Sequence, residues 1–322
     1  EIYQCDWSSD VCSSDLGLQA PSGPPAPAPA LPRPGAMLSA ARASEAARGF
    51  LEWPGRRLKL PAPPAALGRL QAVLADPLST VQDMAKIISL DLRLAASLLR
   101  VVNSPLYDLP TRVETVTRAV AILGQRQVSM LALAAAMSGM FQDLRPDLLD
   151  PERFWAHGVA VAVLAHGLAL AAGLEEPERF YLAGLLHDLG RLALHALAPD
   201  LARQARGLCQ AHGLPDVEAE RRIFEFDHGL LGAVIFSGWG MPHGVVAAAA
   251  SHHEPLPGGS RTAQVVHLAN LAAVALGYGV EPGEPVPSFA AAAWEDLGLP
   301  LGRLEDLAGR LDDMVRALAG PG

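Results

Sequence analysis

Apolar positions recur every three or four residues through most of the chain, and short polar or Pro/Gly-containing breaks cut it into helix-length pieces. The first piece is a short helix at Leu38 to Phe50. Leu58 to Pro64, with KLPAPP in its middle, then gives an extended entry to the next helix. Asp76-Pro77 ends that helix, and Thr80 with Asp83 opens another through a capping arrangement. Ser89 to Val102 reads as an apolar helix stopped at Asn103-Ser104-Pro105, followed by Val113 to Leu123 and Gln125 to Phe141, divided at Gly124. After a break at Asp147 to Pro151 the helices lengthen. Pro151 to Gly173 spaces Phe154, His157, Val161, Leu164 and Leu168 by threes and fours, which sets His157 on the buried seam and turns His166 elsewhere.

The next piece, Phe180 to Leu194 (FYLAGLLHDLGRLAL), is apolar on every side, which is the pattern of a buried helix. His187 and Asp188 lie in its middle. A buried carboxylate costs several kcal/mol unless a protonated imidazole, an Arg, backbone N–H groups or a metal ion compensates it. The plain reading of the pair is a hydrogen bond that orients a core helix. A polar stretch, Leu201 to Ile223, precedes EFDHGLLGAVIFSGWG, in which Asp227 is an N-cap and His228, Leu231, Ile235 and Trp239 share a face. Pro242 opens a helix that ends at Ser251-His252-His253-Glu254-Pro255, and Arg261 to Leu276 carries His267 and Asn270 one turn apart. Beyond a proline-rich linker at Glu281 to Pro287, Leu304, Leu307, Leu311, Val315 and Leu318 form the stripe of a helix expected to dock on its own domain.

Composition narrows the class. Half of the residues are hydrophobic but only 5% are aromatic, so Ala, Leu and Val build the core and closely packed helices are expected: an all-α fold. The net charge of −9, without a basic cluster, gives no general attraction to nucleic acid or an anionic membrane. Phe154 to Leu174 and Thr262 to Val280 approach membrane-spanning length, but His157 and His166 interrupt one, and Gln264, His267 and Asn270 the other, so core helices are expected. Residues 1–16 contain CDWSSDVCSSDL, which looks like the translation of a sequencing-library adapter. Setting them aside removes four acids and no base, moving the charge to about −5, and leaves Cys209 as the one cysteine. That excludes a disulfide framework and suits a reducing cytoplasm. Residues 17–57 read as a Pro/Ala-rich leader that holds the short helix.

Set side by side, the seam-facing polar residues are His157, His187 with Asp188, His228, His252 or His253, and Asn270, each on a different helix apart from the adjacent pair. Helices converging on one polar focus build metal sites in bundle cores, and imidazole with carboxylate suits Zn, Mn or Fe. Beside them, DPLSTVQDMAKIISLDLRLAASLLRVVNSPLYDLPTRVETVTRAVAILG, FWAHGVAVA, AGLLHDLGRLAL, FDHGLLGAVIFSGWGMP and SHHEP are similar, in content and order, to the HDOD family, the regulatory relatives of HD-domain phosphohydrolases. The resemblance covers about Leu58 to Gly279. It implies two packed helical subdomains, 58–145 and an HD-like 146–280, followed by the linker and tail of 281–322, and a role in bacterial signal transduction through protein partners.

The resemblance also assigns the ligands. His157, His187, Asp188 and the position of Asn270 match the HD metal pattern, and His228 with His252 or His253 matches the added ligands of two-metal relatives. Asn270 keeps an oxygen and loses the charge, which lowers metal affinity. Arg191 stands where active relatives carry a Lys that meets phosphate. After His253-Glu254 the chain reads PLPGGS, without the GYP motif of the cyclic di-GMP phosphodiesterase branch. The leading expectation is therefore a non-catalytic signalling module whose degenerate core binds a metal or nucleotide. A metal-dependent phosphohydrolase, using metal-activated water and Arg191 on the phosphate, is the second reading. A ligand-free hydrogen-bond network is the third.

Overall fold

The computed structural model describes residues 40–52, 65–107, 109–138, 149–280, 286–299 and 301–319. The expectations for residues 1–39, for 58–64, for the end of the helix at 139–141 and for most of the proline-rich linker lie outside the described residues. Among the described residues there are helices and no strands, so the fold is all-α.

Local chemistry sets the helix ends. Helix α1 runs Ala40–Glu52, α2 Ala65–Ala75 and α3 Val81–Ser89. Thr80 and Asp83 form the expected capping box before α3. The helix expected from Ser89 to Val102 instead begins at Leu92 as α4 (Leu92–Val102), because the Asp91 carboxylate accepts from Leu94 N at 3.2 Å and turns Leu90 and Asp91 into a break. Asn103 then ties the end of α4 to the segment before α5 (Val116–Leu123). Its Nδ2 donates to Leu99 O and Val113 O, and its Oδ1 accepts from Val113 N at 2.7 Å. Helix α6 (Gln125–Ser138) closes the first half.

Helix α7 (Pro151–Ala171) is capped by Asp150 and runs through the middle of the molecule, where α8 (Pro177–Leu186), α14 (Arg261–Ala275) and α16 (Leu301–Ala319) pack on it. It is long and apolar enough to cross a membrane by length and composition, and most of it is buried inside this fold. Leu311, Val315 and Leu318 of α16 are buried, and Leu307 lies against Gly167 of α7, so the tail stripe docks on its own chain. The remaining helices are α9 (Leu189–Leu197), α10 (Pro199–His212), α11 (Asp216–Phe224), α12 (His228–Gly238), α13 (His243–Ser251) and α15 (Ala291–Leu297). One hydrophobic core joins residues of α2–α9, α12–α16 and the turns between them.

A second core forms where α1 covers α9 to α12. Phe50 sets its ring against Phe224 and Phe226, with centroids 5.8 and 5.3 Å away. Burial of an aromatic ring in such a cluster is worth about 3–5 kcal/mol against Ala. Phe50→Ala should thus lower the free energy of unfolding by about that amount, measured by urea denaturation. A loss under about 1 kcal/mol would mean that α1 is not docked in solution.

Candidate metal centre

The expected single helix from Phe180 to Leu194 is broken at the residues that matter. Helix α8 ends at Leu186 and α9 begins at Leu189, with His187 and Asp188 between them. The imidazole Nδ1 of His187 donates to Gly184 O at 2.7 Å, capturing an acceptor of the last turn of α8. Asp188 sits at φ −96°, ψ 7°, and its carbonyl accepts from Arg191 N to start α9. His187 keeps helical dihedrals, Asp188 departs from them, and both side chains are buried in the core.

Six of the seven candidate residues come together there. His157 stands on α7, His187 and Asp188 at the break, His228 opens α12, and His252 and His253 follow α13. Sequence reasoning left the choice between His252 and His253 open, and the structure brings in both. One group is His157, His187 and Asp188; the other is Asp188, His228, His252 and His253, so Asp188 is shared. Its Oδ1 lies 3.3 Å from His187 Nε2, 3.1 Å from His228 Nε2 and 3.4 Å from His252 Nε2, and its Oδ2 lies 3.8 Å from His157 Nε2. His157, His187, Asp188, His228 and His252 are at most 4% exposed; His253 is half-buried. Asn270 is buried on α14, but its amide makes no hydrogen bond to any of the six among the described residues.

The hydrogen bonds behind the imidazoles decide which way their lone pairs face. His157 Nδ1 is 2.6 Å from Tyr278 O, His187 Nδ1 2.7 Å from Gly184 O, and His252 Nδ1 2.9 Å from Ala249 O. A carbonyl only accepts, so each Nδ1 carries the proton. In the neutral ring Nε2 is then a bare lone pair, and all three point inward. His157 Nε2 and His187 Nε2 face each other at 3.3 Å. His252 Nε2 and Asp188 Oδ1 are buried without a hydrogen-bond partner. A shell of inward lone pairs around one carboxylate is what a cation needs, and it is costly without one. The residues present therefore fit a divalent metal.

Electrostatics shows what stands in for the ion. Burial pulls His228 toward the neutral form, but the carboxylates of Glu220 and Asp188 outweigh it and push its pKa up to about 10. Without metal, a charged His228 thus faces Asp188. Glu220 holds it twice, accepting from His228 Nδ1 at 2.7 Å and from its backbone N at 2.8 Å. Arg191, buried, sits 3.4 Å from Asp188 Oδ2 and donates to Asp216 Oδ2 at 3.0 Å. Burial opposes ionisation of Asp188, yet the positive charges of Arg191 and His228 hold its carboxyl well below the usual carboxylate range. Neither Glu220 nor Asp216 was singled out in the sequence. The one available signal was two acids on the helix-period stretch directly before the FDH segment. His267, by contrast, is satisfied on both sides, donating from Nδ1 to His252 O and accepting at Nε2 from Ala290 N. It positions the His252 turn.

These shifts fix the pH dependence of the metal-free protein. Burial, first, and neighbouring imidazoles push His187 and His253 well below the usual histidine range, and burial with Arg191 and Arg206 takes His195 to about 4. Such groups contribute stability above the unfolded value near 6.5, and it is lost as pH falls toward their folded values. His228 runs the other way: its contribution is full below about 6.5 and is lost as pH rises toward 10. Chelator-treated protein should therefore have its highest Tm near pH 6.5 and lose stability on both sides, by calorimetry. A flat profile from pH 5 to 9 would contradict these assignments.

The fold has known relatives. The HDOD domain family model matches residues 60–255. The chain belongs to the HDOD family. Among solved structures it is similar to an HDOD domain protein from Geobacter sulfurreducens, with TM-score 0.72 and 23% identity over 86% of this chain and 97% of that one. A "Putative phosphohydrolase" from Shewanella amazonensis SB2B gives TM-score 0.67 and 25% identity over 88% and 100%. A "Putative signal transduction protein" from Marinobacter aquaeolei VT8 gives 0.69 and 24% over 88% and 66%. A Treponema pallidum (strain Nichols) protein is 25% identical over 197 residues, 60% of this chain, and the match spans 37% of that relative's length. The HDOD core thus carries the candidate centre. Its helix α1 lies outside the stretch that the family model matches.

Proposed function

We propose that this HDOD protein is a regulatory module of signal transduction that holds one divalent metal, Mn, Fe or Zn, among His157, His187, Asp188, His228, His252 and His253, and that acts through protein partners rather than by turnover. The inward convergence of imidazole Nε2 atoms on Asp188 carries the metal reading. One shared carboxylate sets the number: two dications against a single inner negative charge would leave a large positive excess in the core, so one ion is expected. Arg191 supports the regulatory reading. Its guanidinium lies between Asp188 and Asp216, in the place of a structural ion pair, instead of reaching over the metal ligands as a phosphate contact.

A metal-dependent phosphohydrolase acting on a phosphomonoester or cyclic nucleotide is the second reading. The half-buried His253 favours it, since it is the one member of the cluster through which a phosphate would meet the centre. When bound, the metal would supply Lewis-acid chemistry there. The test is a phosphatase and phosphodiesterase screen on protein loaded separately with Mn, Fe and Zn. The regulatory reading expects no turnover above the level of His187→Ala and Asp188→Ala; turnover that disappears in both variants would overturn it.

A further inference from the structure

A second set of buried polar atoms lies away from the six-residue cluster, where the first half of the chain meets α7 and α8. His166 of α7 and Glu178 of α8 are 3% and 5% exposed. Both ring nitrogens of His166, Oε2 of Glu178 and the hydroxyl of Tyr107, in the turn after α4, are buried without a hydrogen-bond partner. The three side chains are neighbours. His166 Nε2 lies 3.9 Å from Glu178 Oε1, and the Tyr107 ring is 5.8 Å from the His166 ring, tilted by 59°.

The separation is informative. At 3.9 Å the imidazole and carboxylate are too far apart to hydrogen-bond directly. It is within the span, at most about 4.0–4.4 Å, that one ion bound at about 2.0–2.2 Å from each can bridge. Leaving four buried polar atoms unmet would cost several kcal/mol, so a guest that meets one from each side chain is favoured. Charge selects between guests. A buried carboxylate needs a positive partner, which water does not supply.

We propose that His166, Glu178 and Tyr107 form a second metal site, separate from the HD-like cluster, for a dication of the Zn or Fe type bound by one imidazole nitrogen, one carboxylate and one phenol oxygen. The phenol proton leaves to solvent as the metal binds. Carboxylate and phenolate then balance the two positive charges, so the filled site is neutral and tolerates burial, unlike the HD-like cluster with its single inner carboxylate. Because Tyr107 comes from the first half of the chain and the other two ligands from α7 and α8, the ion would also clamp the halves together.

Tyrosine ligation gives a signature that the HD-like cluster, which has no phenol among its side chains, does not produce. The full chain loaded with ferric iron should develop a visible phenolate-to-iron charge-transfer band. The band should vanish in Tyr107→Phe, which keeps the ring and its packing, and weaken in Glu178→Gln, while Asp188→Asn should retain it. Circular dichroism would check that each variant is folded. In the same variants, the rise in Tm produced by zinc should be smaller for Tyr107→Phe than for the unsubstituted chain. No band in the unsubstituted chain, a band that survives Tyr107→Phe, or a crystal structure of zinc-loaded protein with only water between His166 and Glu178 would overturn the proposal.

Discussion

Gly190→Ala should unfold the HD-like centre. A Cβ at Gly190 would collide with the carbonyl oxygen of His228 and come within 2.7 Å of Gly232 N. These are backbone atoms of α12, which cannot swing aside as a flexible side chain does. Helices α9 and α12 would have to move apart. That separation strips packing from Leu189, Leu192 and Leu231 and pulls His228 away from Asp188 and Glu220. Overpacking in a tight core costs about 1–3 kcal/mol, and breaking a buried charged contact adds about 3–5 kcal/mol. A total of several kcal/mol is a large fraction of the stability of a domain. The expected result is a Tm lower by ten degrees or more and no retained metal, by calorimetry and elemental analysis. Unchanged stability would mean that the two helices do not cross at this glycine.

Asp188→Asn is expected to act on binding more than on shape. The amide is isosteric, so the break between α8 and α9 can persist, but the charge that both ligand groups share is gone. Metal affinity should fall by more than about 100-fold, beyond the 10- to 100-fold loss typical of a residue outside the first ring of ligands. In the metal-free state the same change removes one carboxylate partner of a charged His228 and of Arg191, which keep Glu220 and Asp216 among their contacts. Stability should therefore fall by about 3–5 kcal/mol, the cost of stranding buried charge. A competition titration against a chromophoric chelator measures the first effect and urea denaturation the second. Equal affinity in both proteins would remove Asp188 from the ligand set.

The two predictions draw on different depths of information. The all-α fold, the capping box of Thr80 and Asp83, the Asp227 cap and the docked tail were legible because each is written in local order: a cap residue before an apolar period, or a stripe along one helix. The residues of the centre were legible for a related reason, since a polar side chain on an otherwise apolar seam stands out. The break at His187 and Asp188 was not. It arises because an imidazole takes a carbonyl from its own helix, and nothing in the apolar pattern of FYLAGLLHDLGRLAL marks that competition. Glu220 and Asp216 were hidden differently. They occur in a polar helical stretch that looks solvated, and only the packing of α11 against its neighbours turns them inward toward His228 and Arg191. Arg191 shows the limit of motif position: the sequence places a cation after the His-Asp pair, while the structure spends it on two carboxylates.

The direct test is crystallographic. Crystals of the protein reconstituted with manganese and measured at a wavelength where manganese scatters anomalously would locate the ion without reference to activity. One anomalous peak is expected, bounded by Asp188 and inward-facing Nε2 atoms of the cluster, with the carbonyl hydrogen bonds of His157, His187 and His252 kept. No peak at that position, with His228 still facing Asp188 as in the metal-free protein, would contradict it.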